Sequence, residues 1–213
     1  MGFWRVYLQN RRRTLALVVI IMVVGAIAGV GAALTLPEDE VSSLQRLLDS
    51  FYHSAGHGPG VSPAGLFRQG LQYDVLRTIG LLYLSGLSLI GAPLILLMVF
   101  LRSFTLGFAA ALLVTPFSLR GLILGAAALL PQNLLFVPAL VVAAVACLHF
   151  SAVSLAALFT PRKDWRDGEP EIPRQFVATT TMVLLSAGVA TCANLVTAYV
   201  TPMVLALLSG WLY

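Results

Sequence analysis

Three groups of residues in this 213-residue chain have types and spacings that could do chemistry. His53 and His57 stand four apart, a spacing that sets two metal ligands on one face of a helix. Gly56 lies between them, Gly58-Pro59-Gly60 follows and no third ligand stands nearby, so no metal site is expected. His149 stands in an apolar run, residues 121–159, that holds no Asp, Glu, Lys or Arg. One histidine makes no catalytic dyad, and a role in helix packing or at the membrane interface is expected. The third group is Pro131, Gln132 and Asn133, a proline and two amides in the middle of that same run. Proline removes a backbone donor and frees carbonyls about one turn earlier. Gln132 and Asn133 can donate to those carbonyls or to a neighbouring helix. The stretch reads either as a self-satisfied helix break or as a notch for another transmembrane helix or a small cavity.

Everything around these residues is fit for lipid. Apolar residues make up 59% of the chain and charged residues 10%, against roughly a quarter charged in soluble domains. The apolar residues come in runs near the roughly 20 residues that cross a bilayer. The net charge of +4 does not suggest nucleic acid, since basic residues sit at the ends of these runs, in Arg11, Arg12, Arg13, Arg102, Arg162 and Lys163, where they set orientation. The two cysteines, Cys147 and Cys192, lie inside apolar runs without CxxC spacing and are expected to be small buried hydrophobes.

The expected architecture is an all-α integral membrane protein, one polytopic domain over 1–213 with about five transmembrane helices. Span 1 is 14–36, an uncleaved anchor behind a basic N-terminus. Residues 37–74 form an extracytoplasmic helical segment: Pro37-Glu38-Asp39-Glu40 suits a helix start, and Val41, Leu44, Leu48 and Phe51 recur at helical spacing as an outward contact face. Such a face could equally lie on lipid headgroups. Ser62-Pro63 caps a helix that runs into span 2, residues 75–101, closed by Arg102. A short span 3 covers 103–115, and span 4 covers 121–159, broken at Pro131. A basic cytoplasmic loop, 160–175, leads to span 5, 176–209. The positive-inside rule then sets the N-terminus in the cytoplasm and the C-terminus outside; a re-entrant hairpin over 103–130 would reverse the basic loop. Two GxxxG pairs, Gly25/Gly29 and Gly121/Gly125, allow close helix approach, by default within the chain.

The stretches GLSLIGAPLILLMVFLRSFTLGF (86–108) and GLILGAAALLPQNLLFVPALVVAA (121–144) resemble the stage II sporulation protein M family. The sharpest matches are Gly91-Ala92-Pro93, Arg102 ahead of Gly107, and Leu130-Pro131-Gln132-Asn133. The resemblance implies a bacterial membrane protein with no catalysis of its own. It also implies work alongside stage II sporulation proteins D and P, which degrade peptidoglycan as the mother-cell membrane engulfs the forespore. Gly91, Pro93, Pro131, Gln132 and Asn133 are then the structural core and a candidate helix-docking site, and no cofactor is expected. The alternative is a small transporter or permease-like subunit with the broken helix as its path. It would converge several of Gln132, Asn133, Ser85, Ser88 and Asn194 on one cavity, where a scaffold would scatter them. An intramembrane protease fails for want of a nucleophile–base pair or two carboxylates in the spans.

Overall fold

The structure, a computed structural model, describes residues 12–37, 39, 40, 42, 43, 46, 62–88, 91–114, 119–159 and 171–212. Val41, Leu44, Leu48, Phe51, His53 and His57 lie outside the described residues. Among those described there is no strand. The helices are α1 (Arg12–Leu34), α2 (Pro63–Gly70), a π-helical segment (Leu71–Ile79), α3 (Gly80–Leu87), α4 (Gly91–Val114), α5 (Leu119–Phe159) and α6 (Glu171–Leu212).

Local sequence explains where these helices begin and end. α1 is continuous hydrocarbon; Thr35 and Leu36 close its end by donating to the carbonyls of Ala32 and Ala33, and Pro37, which lacks an N–H, follows. Ser62 is extended and its Oγ accepts from the Gly65 N–H at 3.1 Å, with Pro63 at the first helical position, as expected. From Pro63 the backbone stays right-handed helical through Gly70, Leu71, Ile79 and Gly80, so α2, the π segment and α3 form one rod over 63–87. Thr78 Oγ1 donates to the Tyr73 carbonyl five residues back, a reach that suits the wider π turn.

Two boundaries differ from those the sequence suggests. The reversal between the second and third helices falls at Ser88, which is extended, and not at Arg102. α4 runs from Gly91 through Arg102 to Val114, so 75–101 and 103–115 are not separate helices. Arg102 ends nothing because its charge is satisfied from the side. α5 is likewise continuous through both Pro131 and Pro138, so no break occurs at Pro131. Within a bundle, neighbouring groups re-satisfy what an internal proline frees. A third expectation also changes: Cys147 is buried, but Cys192 is exposed.

Among the described residues, four helices are long and apolar enough to cross a membrane, over Arg12–Leu34, Gly91–Leu112, Leu130–Leu155 and Pro173–Val200. The 63–87 rod is a fifth, more polar column. Between helices in lipid the hydrophobic effect supplies little, because lipid tails are as apolar as leucine; close packing and polar contacts hold the bundle. α1 and α4 run in the same direction with backbones nearly touching. A Cβ on Gly25 would lie 2.7 Å from the Phe100 carbonyl, one on Gly29 would collide with the Phe104 carbonyl, and one on Gly107 with that of Ala26. The Gly25/Gly29 pair is therefore an internal packing device. α5 and α6 run antiparallel, with Phe150 edge-on to Phe176, and the rod lies against both. Gly86 lets it approach Cys147 of α5, and Tyr83 bonds Thr180 of α6 at 2.9 Å. The core is Val18, Ile79, Leu82, Ile95, Val99, Phe136 and Leu140 with the alanine-rich turn 143–147.

Leucine at Gly29 or Gly107 is expected to lower stability in detergent by about 1–3 kcal/mol, the usual cost of overpacking. Alanine at Gly31, which has open space around it, is expected to be neutral or slightly stabilising. Thermal unfolding of the purified variants checks both, and equal effects at Gly29 and Gly31 would contradict the α1–α4 contact.

Candidate functional site

The residues that come together inside the bundle are Asp74, Arg102, Gln132 and Asn194, one from each of the rod, α4, α5 and α6. Arg102 donates from a terminal guanidinium nitrogen to Asp74 Oδ1 at 2.7 Å, a charge-assisted bond. Gln132 Nε2 donates to Asp74 Oδ2 at 2.8 Å and to Asn194 Oδ1 at 3.3 Å. The guanidinium carbon of Arg102 sits 4.6 Å from the ring centroid of the fully buried Phe136, one turn beyond Gln132. Both carboxylate oxygens of Asp74 are thus occupied, from two different helices.

Each helix delivers its residue for a local reason. Asp74 is on the π segment, whose wider turn carries it inward while Gln72, Tyr73 and Leu76 point out. Gly70, one turn earlier, gives Asn194 its place: a Cβ there would stand 2.7 Å from Asn194 Oδ1. Gln132 follows Pro131 immediately, and the helix carries it past the proline into the core. The carboxylate balances the cation and accepts from Gln132 as well, but two buried donors, Arg102 Nε and Asn194 Nδ2, have no hydrogen-bond partner. The Asp74 side chain is 6% accessible and that of Arg102 28%.

The other residues singled out by sequence lie apart from this cluster. Gly91 is at the reversal, buried, with its Cα against the Ser85 carbonyl; Pro93 is exposed in the first turn of α4. Ser151 of α5 donates to the Ser88 carbonyl at 3.2 Å, and Ser151 lies about 28 Å along the helix from Gln132. Ser85, Ser88, Gly91 and Pro93 therefore belong to one end of the bundle, and Gln132 and Asn194 to a separate layer. Pro131 and Asn133 are half-buried beside Gln132, and Gly121 and Gly125 lie on the first turns of α5. Asp74 and Arg102 were not expected in a common site, because each stood at the end of an expected span. The signal that could have joined them is that an ionisable residue in an apolar helix needs a partner at its own depth.

A bundle of long apolar helices closed over one charged and amide-bearing layer defines a multi-pass helical membrane protein. The chain belongs to the stage II sporulation protein M family, whose model matches residues 18–202. That match takes in all four residues of the cluster and places the protein among sporulation-related membrane proteins. No curated protein and no solved structure matches the chain.

Leucine at Arg102, or asparagine at Asp74, is expected to destabilise toward the lower end of the about 3–5 kcal/mol lost when one partner of a buried pair is removed, since Arg102 is partly accessible. The double variant Asp74→Leu/Arg102→Leu is expected to recover much of that loss. A double-mutant cycle of unfolding in detergent measures the coupling, and strictly additive losses would show that the pair does not interact.

Proposed function

We propose that this protein is a non-enzymatic scaffold of the membrane that positions peptidoglycan-degrading partners, stage II sporulation proteins D and P, during engulfment of the forespore. The observation that carries this reading is the use made of the charge inside the bundle. Asp74 and Arg102 face each other and, with Gln132 and Asn194, tie four helical columns together. Polar groups spent on one another in this way stabilise an arrangement of helices and present a defined outer surface. Membership of the family supports the sporulation setting.

We orient the bundle by its basic residues, which support a cytoplasmic N-terminus. With Arg12 and Arg13 on the cytoplasmic side, α1 runs outward, the rod inward, α4 outward, α5 inward and α6 outward. On this reading residues 160–175, with Arg162, Lys163, Arg166 and Arg174, lie on the cytoplasmic side, the C-terminus lies outside, and the segment after α1 faces the partners. Val41, Leu44, Leu48 and Phe51 are the proposed outer contact face, with Pro131, Gln132 and Asn133 as a candidate notch for a partner's transmembrane helix.

A second reading, a small transporter subunit, is favoured by one observation, the pairing of Asp74 with Arg102 inside the bundle, since ionisable residues at such depth often mark substrate or proton paths. Of the residues that would have to converge for transport, Gln132 and Asn194 do so, while Ser85 and Ser88 do not. The scaffold reading accounts for both groups.

The test is recovery of peptidoglycan hydrolases with the tagged protein from native membranes as engulfment begins, comparing the wild type with Gln132→Leu/Asn133→Leu and with Leu44→Asp/Leu48→Asp. Recovery with wild type and loss with Leu44→Asp/Leu48→Asp locates the docking surface on that face; loss with Gln132→Leu/Asn133→Leu locates it at the notch only if that variant unfolds at the wild-type temperature in detergent, since Gln132 also bonds Asp74 and Asn194. Hydrolases absent from the wild-type eluate would overturn the scaffold, and substrate uptake into proteoliposomes would then be the measurement to make.

A further inference from the structure

Depth along the bundle can be read from α1 and α4, two of the apolar helices. Arg102 lies at the middle of the Gly91–Leu112 window, about 16 Å along the helix from either end, which is roughly half of a 30 Å hydrocarbon core. The α1 helix agrees independently, for Gly25, near its midpoint, packs against Phe100 and Ser103. On α1 and α4 the layer of Arg102 falls near the middle of the candidate spans, and Asp74, Gln132 and Asn194 are tied to it by hydrogen bonds; α5 continues as helix for roughly three turns ahead of Gln132, back to Leu119.

The outer face of the rod in this layer is mixed: Tyr73 and Leu76 are exposed on it, and so are polar and charged groups. Arg68, Gln69, Gln72 and Arg77 are all exposed, and they flank Asp74 within about two turns on either side. On α1, by contrast, the exposed residues near the same depth are Ile20, Val23, Val24 and Ile27. One side of the bundle thus offers hydrocarbon to its surroundings at mid-depth and another offers guanidinium and amide groups. Arg102 adds to the second, since part of its side chain stays accessible.

We propose that the outer face of the 63–79 segment lines a water-filled crevice that descends to the middle of the bilayer beside the Asp74–Arg102 pair. Three other surroundings fit these groups less well. Lipid tails against these groups would leave their donors and acceptors unpaired. Headgroups reach the two arginines if these snorkel toward opposite surfaces on their long stems. Gln72 settles between snorkelling and water. It sits two residues from Asp74, points outward and has too short a side chain to reach either surface. A partner helix covering the face would need polar groups in register with four separate side chains, whereas water needs none.

The crevice has a mechanical consequence for the rod. A π-helical segment holds its carbonyls in a looser ladder than an α-helix, and water on the outer side can bond those carbonyls directly. The same water makes the ion pair exchangeable with the aqueous phase from the side at which the crevice opens.

The experiment uses the full-length protein in cell membranes, with exposed Cys192 replaced by serine and single cysteines placed at Gln72 and, for comparison, at lipid-facing Ile27. The probe is the membrane-impermeant trimethylammonioethyl methanethiosulfonate, which reacts with the thiolate. A thiol held in hydrocarbon ionises poorly, so Gln72→Cys is expected to react at least about tenfold faster than Ile27→Cys. Equal, slow reaction at both positions would overturn the crevice. Reaction at Arg68→Cys and Arg77→Cys but not at Gln72→Cys would do so as well, since that is the pattern of snorkelling. Reaction at Gln72→Cys only after the protein is purified into detergent would replace water by a partner that covers the face. Reaction from one side of the membrane in intact cells, and not from the other in inverted vesicles, would support the proposal and show where the crevice opens.

Discussion

An ion pair inside a helical bundle is expensive to assemble and more expensive to leave half-made, and the arrangement of this protein depends on one. Arg102 sits at the centre of an apolar helix and Asp74 on a column with a less regular turn. Removing either charge strands the other inside the bundle without its partner, so the two helices are held in one register along their common axis. Gln132 extends the constraint to α5, and through Asn194 to α6. A displacement of one helical turn in any of the four columns would break a bond to a carboxylate or an amide. Apolar packing alone tolerates such slippage, since one leucine surface resembles another.

The rest of the fold is compatible with that layer and not independent of it. The glycines of α1 and α4 bring two apolar helices into backbone contact, which makes a rigid platform from which Arg102 projects. The alanine-rich part of α5 packs tightly against the rod, and Gly86 accepts Cys147 there. A second polar layer, with Tyr83 on Thr180 and Ser151 on the Ser88 carbonyl, closes the far end about the reversal at Ser88. Between the two layers the core is nearly all hydrocarbon. Two polar ties joined by a dry core resist both tilting and sliding of the columns. Such stiffness suits a protein whose proposed work is to present a surface.

Asymmetry around the bundle carries the functional interest. The α1 side is uniformly apolar, while the outer side of the 63–79 segment bears arginine and glutamine at the same depth. A protein built only to anchor would gain from covering all sides alike. That face, where Tyr73 and Leu76 are exposed among the polar groups, adjoins the ion pair that sets the register, and it is the side on which the proposed crevice would bring water.

Much of this molecule was legible in its sequence because lipid imposes a simple rule on composition. Long uncharged runs marked helices, Ser62-Pro63 marked a helix start, and the Gly25/Gly29 pair marked a close approach, each through a local requirement of backbone or solvent. The family was legible as well, in Gly91-Ala92-Pro93 and Leu130-Pro131-Gln132-Asn133. What only the tertiary structure decided was where charges and prolines end a helix and where they do not. Arg102 reads as a terminus until Asp74, 28 residues away, is seen to neutralise it, and Pro131 reads as a break until the bundle closes around it. A charge or a missing donor has a cost that local sequence reports faithfully. Whether that cost ends a helix depends on a partner brought from elsewhere in the chain, and the partner is known only once the chain has folded.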